Sequence, residues 1–529
     1  MKGEIKNNGG LYLILLFIAG AVLRAAGISA QSIGPEEFTT AQFASASGII
    51  ALFWESFQTQ AHFPLFYMLE HLVCMVFGYS ETSLRLLPLL FGIASMPVFY
   101  RLVRAFFNEK ISLAAFFLFA LNPYQIYYSQ QALSASMFLF VSLLITYYFL
   151  MSVKYNAFLM KPFIVWSVIG VFTNSLTVIL LIIFNLIIFI RYREEIRLNL
   201  WIKAQVIIFC FMLLALPFIL KGGGVRLAGA SMLMAPFIAV KNYLFGFTAD
   251  FNFLMAAGCA GAAYLIIMAA FTYRHKNMKI ISLTALISFL YPAALWVASV
   301  FGKFIYPESG LILIAALVLV LLAIGISYLS REGVMLALSL MFIFYSVSVY
   351  NFYVNEKYKK TDYKKQYEEI VKQAKEGAVF IHSSINSYQA YEFYNRIKHR
   401  SNFENRKIQE PAEAVKKGLK YTVSQKWEKF RQETLNGRFK QNISSGYDPN
   451  MITSAELSEK IKKYKEVWFV KDNSTGIRQP WLSTGAVWHS DTELEAPLNV
   501  EGLLWVRNYF NIKETKKYYG AAVYKMERR

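Results

Sequence analysis

Two adjacent carboxylates, Glu36 and Glu37, follow Pro35 in a stretch, residues 29–61, that contains no Lys or Arg. A carboxylate at a membrane surface can act as a general base, taking the proton from a hydroxyl or amine as that atom attacks an electrophilic centre. Other polar groups flank the pair: Arg24 before it, then His62-Phe63-Pro64-Leu65, Arg85 and Tyr127-Tyr128-Ser129-Gln130-Gln131. An imidazole at position 62 could orient an acceptor, ligate a metal or bind a phosphate oxygen. Arg24 and Arg85, with Lys221, Arg226 and Lys303 further along, are the cations that could neutralise a leaving phosphate. Each group also has a plainer reading. The acids could be solvated residues at a helix start, the histidine a passive interfacial anchor, and the cations side chains that snorkel to headgroups. Polar and ionisable groups between apolar helices are costly, however, and together they point to a site.

The elements that must position them are membrane spans. The chain has 529 residues, of which 56% are hydrophobic and 17% charged, and its mean hydropathy is +0.38. That composition belongs to a polytopic membrane protein. Apolar runs occupy residues 11–28, 84–100, 111–128, 133–152, 176–190, 204–220, 251–272, 280–300, 309–329 and 333–350. Two shorter runs, 64–78 and 162–173, are ambiguous by length. Charge assigns them. The basic loops Arg101–Lys110, Lys154–Lys161, Arg191–Lys203 and Arg274–Lys279 all become cytoplasmic if 64–78 lies along the outer interface and 162–173 crosses. The expectation is about eleven spans with the N-terminus cytoplasmic and everything after Tyr350 outside. Every polar cluster named above then falls on one outer face. Arg24 inside the first run argues against a cleaved signal peptide.

From Asn351 the composition turns to Lys, Glu, Tyr and Asn. The runs 377–382, 466–471 and 520–526 read as buried strands, and 364–375 and 454–464 as amphipathic helices. The domains expected are a membrane part at 1–352 and an extracytoplasmic α/β domain at 353–529. Cys74, Cys210 and Cys259 lie in apolar segments and build neither a disulfide framework nor a zinc site. Asn442-Ile443-Ser444 and Asn473-Ser474-Thr475 fit the glycosylation acceptor pattern, which also occurs by chance. The net charge of +20 sits in short loops and the last third of the chain, a distribution that suits anionic lipid or an anionic substrate and argues against nucleic acid.

The order and spacing of the polar motifs resemble the first third of the polyprenyl-phosphate-sugar-dependent glycosyltransferases, family 39 of the GT-C superfamily. That group is related to the dolichyl-phosphate-mannose protein mannosyltransferases and the lipid A aminoarabinose transferases. Glu36-Glu37 stands at the family's Asp-Glu, the first of which is its catalytic residue. His62-Phe63-Pro64-Leu65 stands at His-Pro-Pro-Leu. Pro123 to Leu133 is similar to the family's Pro-Phe-His-Ile-Tyr-Tyr-Ser-Gln-Glu-Ala-Arg, with Gln131 for the Glu and Leu133 for the Arg. Asn174 stands where many members have His, and Lys303-Phe304 approximates an Arg-Tyr pair.

The resemblance implies a GT-C fold, with interfacial helices over a helical bundle in the cell membrane. It implies an inverting transferase that moves a sugar from a polyprenyl-phosphate donor to a lipid, glycan or protein acceptor. Glu36, with Glu37, would be catalytic. Arg24, His62, Arg85, Tyr128, Gln130, Gln131, Asn174, Lys221, Arg226 and Lys303 would bind substrate. Gln131 and Asn174 cannot titrate and are poor ligands for a divalent cation, so no metal and no other cofactor is expected. A second reading keeps the fold and drops the chemistry: a degenerate homologue that binds a lipid-linked sugar or scaffolds another glycosyltransferase. A third, a lipid or solute transporter, would place ionisable residues near mid-membrane in two related halves, and the sequence has no such halves.

Overall fold

The computed structural model describes residues 5–58, 63–155, 159–194, 196–221, 230–249, 252–271, 277–301, 308–374, 379–382, 385–400, 420–424, 451–452, 466–472, 510–518 and 521–528. Helix α1 (Ile5–Ala25) leads to a 3-10 turn at Pro35–Glu37. Three helices follow before the next long one: α2 (Phe38–Ala44), α3 (Ile49–Gln58) and α4 (Pro64–Phe77). Pro64 starts α4 at the first-turn position where its missing N–H has no helical partner to lose. The α3–α4 pair leaves Ile50, Met75, Val76 and Phe77 exposed, as helices lying in a lipid interface would.

The bundle continues through α5 (Glu81–Arg104), α6 (Glu109–Ala120), α7 (Pro123–Ser129), α8 (Ala135–Tyr155), α9 (Met160–Thr173) and α10 (Leu176–Ile187), the last running into a π turn at Ile188–Tyr192. It closes with α11 (Leu198–Lys221), α12 (Ala230–Phe245), α13 (Phe253–Phe271), α14 (Met278–Phe301), α15 (Ile312–Ile326) and α16 (Arg331–Tyr353). Helix α15 is apolar on every side and buried along its length, packed among α6, α8, α12, α13 and α14. That is the pattern of a central helix in a membrane bundle. Gly92 lets α5 approach α7 closely, because a Cβ there would collide with Ser129.

Seven helices among the described residues are long and apolar enough to cross a membrane, and four shorter apolar helices accompany them. The expected run 111–128 is not one continuous helix. Asn122 caps α7 by accepting from the Gln125 N–H, and Pro123 opens the new helix, so the chain breaks after Ala120. The 12 residues of α6 reach about 18 Å, short of the roughly 30 Å hydrocarbon core.

The C-terminal region carries α17 (Tyr363–Gln373) and α18 (Ile385–Arg400) on a mixed six-stranded sheet. Its strands are β1 (Val379–His382), β2 (Lys420–Ser424), β3 (Met451–Ile452), β4 (Glu466–Asp472), β5 (Phe510–Tyr518) and β6 (Ala521–Arg528), in the order β3-β2-β1-β4-β6-β5. Strands β1 to β4 pair in parallel, whereas β6 is antiparallel to both β4 and β5. The strands read at 377–382, 466–471 and 520–526 are β1, β4 and β6, and the helix read at 364–375 is α17. The helix read at 454–464 and both candidate glycosylation sites lie outside the described residues.

This region shares a single apolar core with the loop between α1 and α5. Ile33, Phe38, Ala41 and Tyr79 pack with Tyr363, Tyr367, Tyr391, Phe393 and Trp468. The Tyr79 and Phe393 rings meet edge-on at 5.3 Å. The sheet and the polar loop therefore lie on the same side of the bundle.

Candidate active site

The 3-10 turn separates the two neighbouring glutamates. Glu36 is exposed, whereas Glu37 turns inward and is 0% exposed. Five donors converge on the Glu37 carboxylate. Its Oε1 accepts from Arg85 Nε at 2.8 Å and the Ala132 N–H at 2.9 Å. Its Oε2 accepts from Arg85 Nη2 at 2.8 Å, the Gly34 N–H at 2.9 Å and Lys360 Nζ at 2.6 Å. Burial alone would raise its pKa, but the Arg85 and Lys360 charges, the Arg85 hydrogen bonds and the Ala132 N–H outweigh it. The carboxyl is held well below the usual carboxylate range. A base with every lone pair occupied has no room for a proton. Glu37, expected with Glu36 to be catalytic, has its carboxylate engaged by these five donors.

Arg85, expected to bind substrate, is engaged likewise. Beyond Glu37, it donates to the carbonyls of Ile28, Gln31 and Ser32, so its guanidinium has no N–H left for a phosphate. Arg24 is 0% exposed and donates to Gly20, Phe119 and Ala120 carbonyls. It closes the C-terminus of α6, where a cation satisfies orphan carbonyls and opposes the helix dipole. Both arginines are buried and bonded to protein carbonyls.

The remaining expected residues divide in the same way. Gln130 Nε2 donates to the Arg24 and Ala26 carbonyls and to Tyr353 Oη, tying α7 to the ends of α1 and α16. Tyr128 is buried among the rings of Tyr124, Tyr127 and Phe247. Asn174 sits in the break between α9 and α10 and accepts from the Leu176 N–H, a local capping role. Gln131 alone joins the carboxylate cluster, accepting from Lys360 Nζ at 2.5 Å. His62, Arg226 and Lys303 lie outside the described residues, as does the side chain of Lys221.

Lys360, which sequence reasoning missed, is thus central. It belongs to the segment joining α16 to α17, in a Lys-rich stretch where nothing local distinguishes it. Its aliphatic stem crosses Gly34, where a Cβ would come within 3.1 Å of Cδ. Neighbouring contacts hold the segment in place. Ser32 Oγ donates to Asp362 at 3.3 Å, Lys364 Nζ meets Glu81 at 2.6 Å, and Tyr394 Oη donates to the same Glu81 at 2.6 Å. The signal that could have pointed to Lys360 was a glycine immediately before Pro35-Glu36-Glu37.

Two polar residues on α4 stand apart. His71 Nδ1 donates to the Ala44 carbonyl at 3.0 Å, whereas buried Glu70 has no hydrogen-bond partner for either carboxyl oxygen among the described residues. An open cavity of about 1600 Å³ is lined by α3, the end of α4 and Ile397, with His71 on its wall. None of Glu36, Glu37, Gln131 or Lys360 lines it, and its mostly apolar walls suit lipid. Among the described residues, no three His, Cys, Asp or Glu side chains lie close enough to share a metal ion.

No protein-family model matches the chain, and no curated protein sequence does. Solved structures do match. ArnT from Cupriavidus metallidurans bound to undecaprenyl phosphate superposes over 97% of both chains with a TM-score of 0.55 at 12% identity. The same protein in the apo state gives 0.56 at 10% identity, again over 97% of both chains. The oligosaccharyltransferase AglB from Archaeoglobus fulgidus, in complex with an inhibitory peptide and a dolichol-phosphate, gives 0.48 at 13% identity over 89% of this chain and 70% of that one. ArnT belongs to the GT-C superfamily of membrane glycosyltransferases.

The chain has a GT-C fold.

Within that GT-C frame, the 3-10 turn, the loop after α7 and the segment after α16 meet around one buried carboxylate. In that arrangement Glu37 is buried and its chain neighbour Glu36 is exposed.

Proposed function

We propose that this GT-C protein transfers a sugar from a polyprenyl-phosphate donor to a lipid, glycan or protein acceptor, by inverting displacement with Glu36 as the base. One observation carries the reading. Glu36 is the exposed member of the acid pair, adjacent in the chain to the buried Glu37 carboxylate that pairs with Lys360. The fold, shared along nearly the full length with an ArnT structure that holds undecaprenyl phosphate, supports the donor class.

In the reaction, the acceptor oxygen or nitrogen bonds to the anomeric carbon and gives its proton to Glu36. The glycosyl C–O bond breaks on the opposite face, and its electron pair stays on the phosphate oxygen. The donor's phosphodiester monoanion becomes a phosphomonoester dianion, so one negative charge develops as the bond breaks. Glu37 holds the turn that aims Glu36. The N-terminus is placed in the cytoplasm, and the polar loop and C-terminal sheet outside the cell membrane, because the basic loops then all face inward.

A second reading, a degenerate homologue that binds lipid-linked sugar without transferring it, is favoured by Gln131, Leu133 and Asn174 and by the commitment of Glu37 to Arg85 and Lys360. Turnover separates the two. Purified wild type and Glu36→Gln would be supplied with lipid-linked sugars from a native membrane extract, with free polyprenyl phosphate followed by mass spectrometry. Release by wild type that collapses in Glu36→Gln supports the transferase. No release by either, with lipid-linked sugar still co-purifying, supports the binding protein.

A further inference from the structure

The buried cluster around Glu37 holds two cations, Arg85 and Lys360, and one carboxylate. Arg85 has all of its N–H groups engaged by protein acceptors. Lys360 does not. Its ammonium has three N–H bonds, and its acceptors among the described residues are Glu37 Oε2 and Gln131 Oε1. The side chain is 11% exposed. Burial lowers the pKa of this ammonium, opposed first by the Glu37 charge. It is a desolvated cation with two acceptors among the described residues for three N–H bonds.

We propose that Lys360 is the cation that receives the donor's phosphate group, supplied from the segment leading into the C-terminal region rather than from the membrane helices. The inference rests on the polyprenyl-phosphate reading for its ligand, but not on turnover. Arg85 has every N–H committed to protein acceptors and Arg24 is fully buried against helix carbonyls, whereas partly exposed Lys360 has two acceptors among the described residues for its three N–H bonds. Gln131 Oε1 and Glu37 Oε2 fix the ammonium from one side, and Gly34 leaves room for its stem. As the phosphodiester becomes a dianion, the third N–H forms a charge-assisted hydrogen bond to a phosphate oxygen, and no proton need move.

The test is binding, read on full-length protein in detergent with three probes: undecaprenyl phosphate, undecaprenol and inorganic phosphate. Variants are Lys360→Met, Lys360→Arg and, as a control on an exposed neighbour, Lys359→Met. Wild type and Lys359→Met are expected to bind the lipid phosphate more tightly than the alcohol. Lys360→Met should lose about 10- to 100-fold in affinity for the phosphate while binding undecaprenol as wild type does. Lys360→Arg should keep most of the phosphate preference. Unchanged phosphate binding by Lys360→Met overturns the proposal. Equal loss of both lipids also overturns it, by making Lys360 a structural residue. Inorganic phosphate bound as tightly as the lipid would make this a free-anion site and overturn the lipid assignment. A catalytically silent protein would still answer, so failure of turnover and failure of this assignment are separable.

Discussion

Arg85 and Glu37 meet through two parallel hydrogen bonds, Nε to Oε1 and Nη2 to Oε2, both 2.8 Å long, with neither side chain more than 3% exposed. This two-bond geometry is the one that arginine alone makes with a carboxylate. It gathers the segment after α1, the start of α5 and the loop after α7 into one unit, and Lys360 adds the segment after α16.

Removing one partner strands the other as a buried charge. Glu37→Gln and Arg85→Met are each expected to cost about 3–5 kcal/mol of stability, and Arg85→Lys nearly as much because lysine cannot reach the same acceptors. Thermal or denaturant unfolding in detergent measures this. A loss no larger than that of an exposed pair, under about 1 kcal/mol, would show that the cluster does not hold the loop.

The pH dependence follows with a definite sign. The folded Glu37 carboxyl has a depressed pKa, so the folded state holds fewer protons there than the unfolded chain. Its stabilisation is complete above the unfolded value of roughly 4.3 and is lost as pH falls below that toward the folded value. Wild type should therefore lose stability between about pH 5 and about pH 3 more steeply than Glu37→Gln. Parallel acid limbs would contradict the assignment.

Glu70 is the opposite case. Burial pushes its carboxyl well above the usual range, and neither oxygen has a partner among the described residues. The folded state keeps a proton that the unfolded chain releases, so this group's penalty grows as pH rises from the unfolded value toward the folded one. Glu70→Leu removes it and is expected to stabilise the protein by about 1–3 kcal/mol at neutral pH. Destabilisation by this substitution would reveal a partner or a task for Glu70.

Glu36 is exposed, so its variants should report on chemistry with little change in folding. Glu36→Gln is expected to lower turnover by about 10²- to 10⁴-fold, whereas Glu36→Asp keeps a carboxylate and should retain measurable activity. Unfolding midpoints of both variants should match wild type. Equal loss in Gln and Asp variants, or none in either, would remove Glu36 from the base's role.

The amino-acid sequence determined the class of this protein because hydropathy and charge are local quantities. Runs of apolar residues become helices wherever they fall in the bundle, and strands such as Glu466–Asp472 are apolar enough to read without partners. The loop Tyr127–Gln131 was legible for the same reason, as a polar interruption between apolar segments. The break at Asn122-Pro123 was visible too, but hydropathy averaged across it.

Tertiary structure decided which polar residue does what. Glu36 and Glu37 are identical in type and adjacent in sequence, and only the 3-10 turn sends one outward and the other into the protein. Arg24 and Arg85 look like free cations until the carbonyls of Ala120 and Ile28 come within reach. Lys360 meets Glu37 across 323 residues of sequence. Ion pairs and desolvation depend on what folding brings within a few ångströms, and no local pattern encodes that.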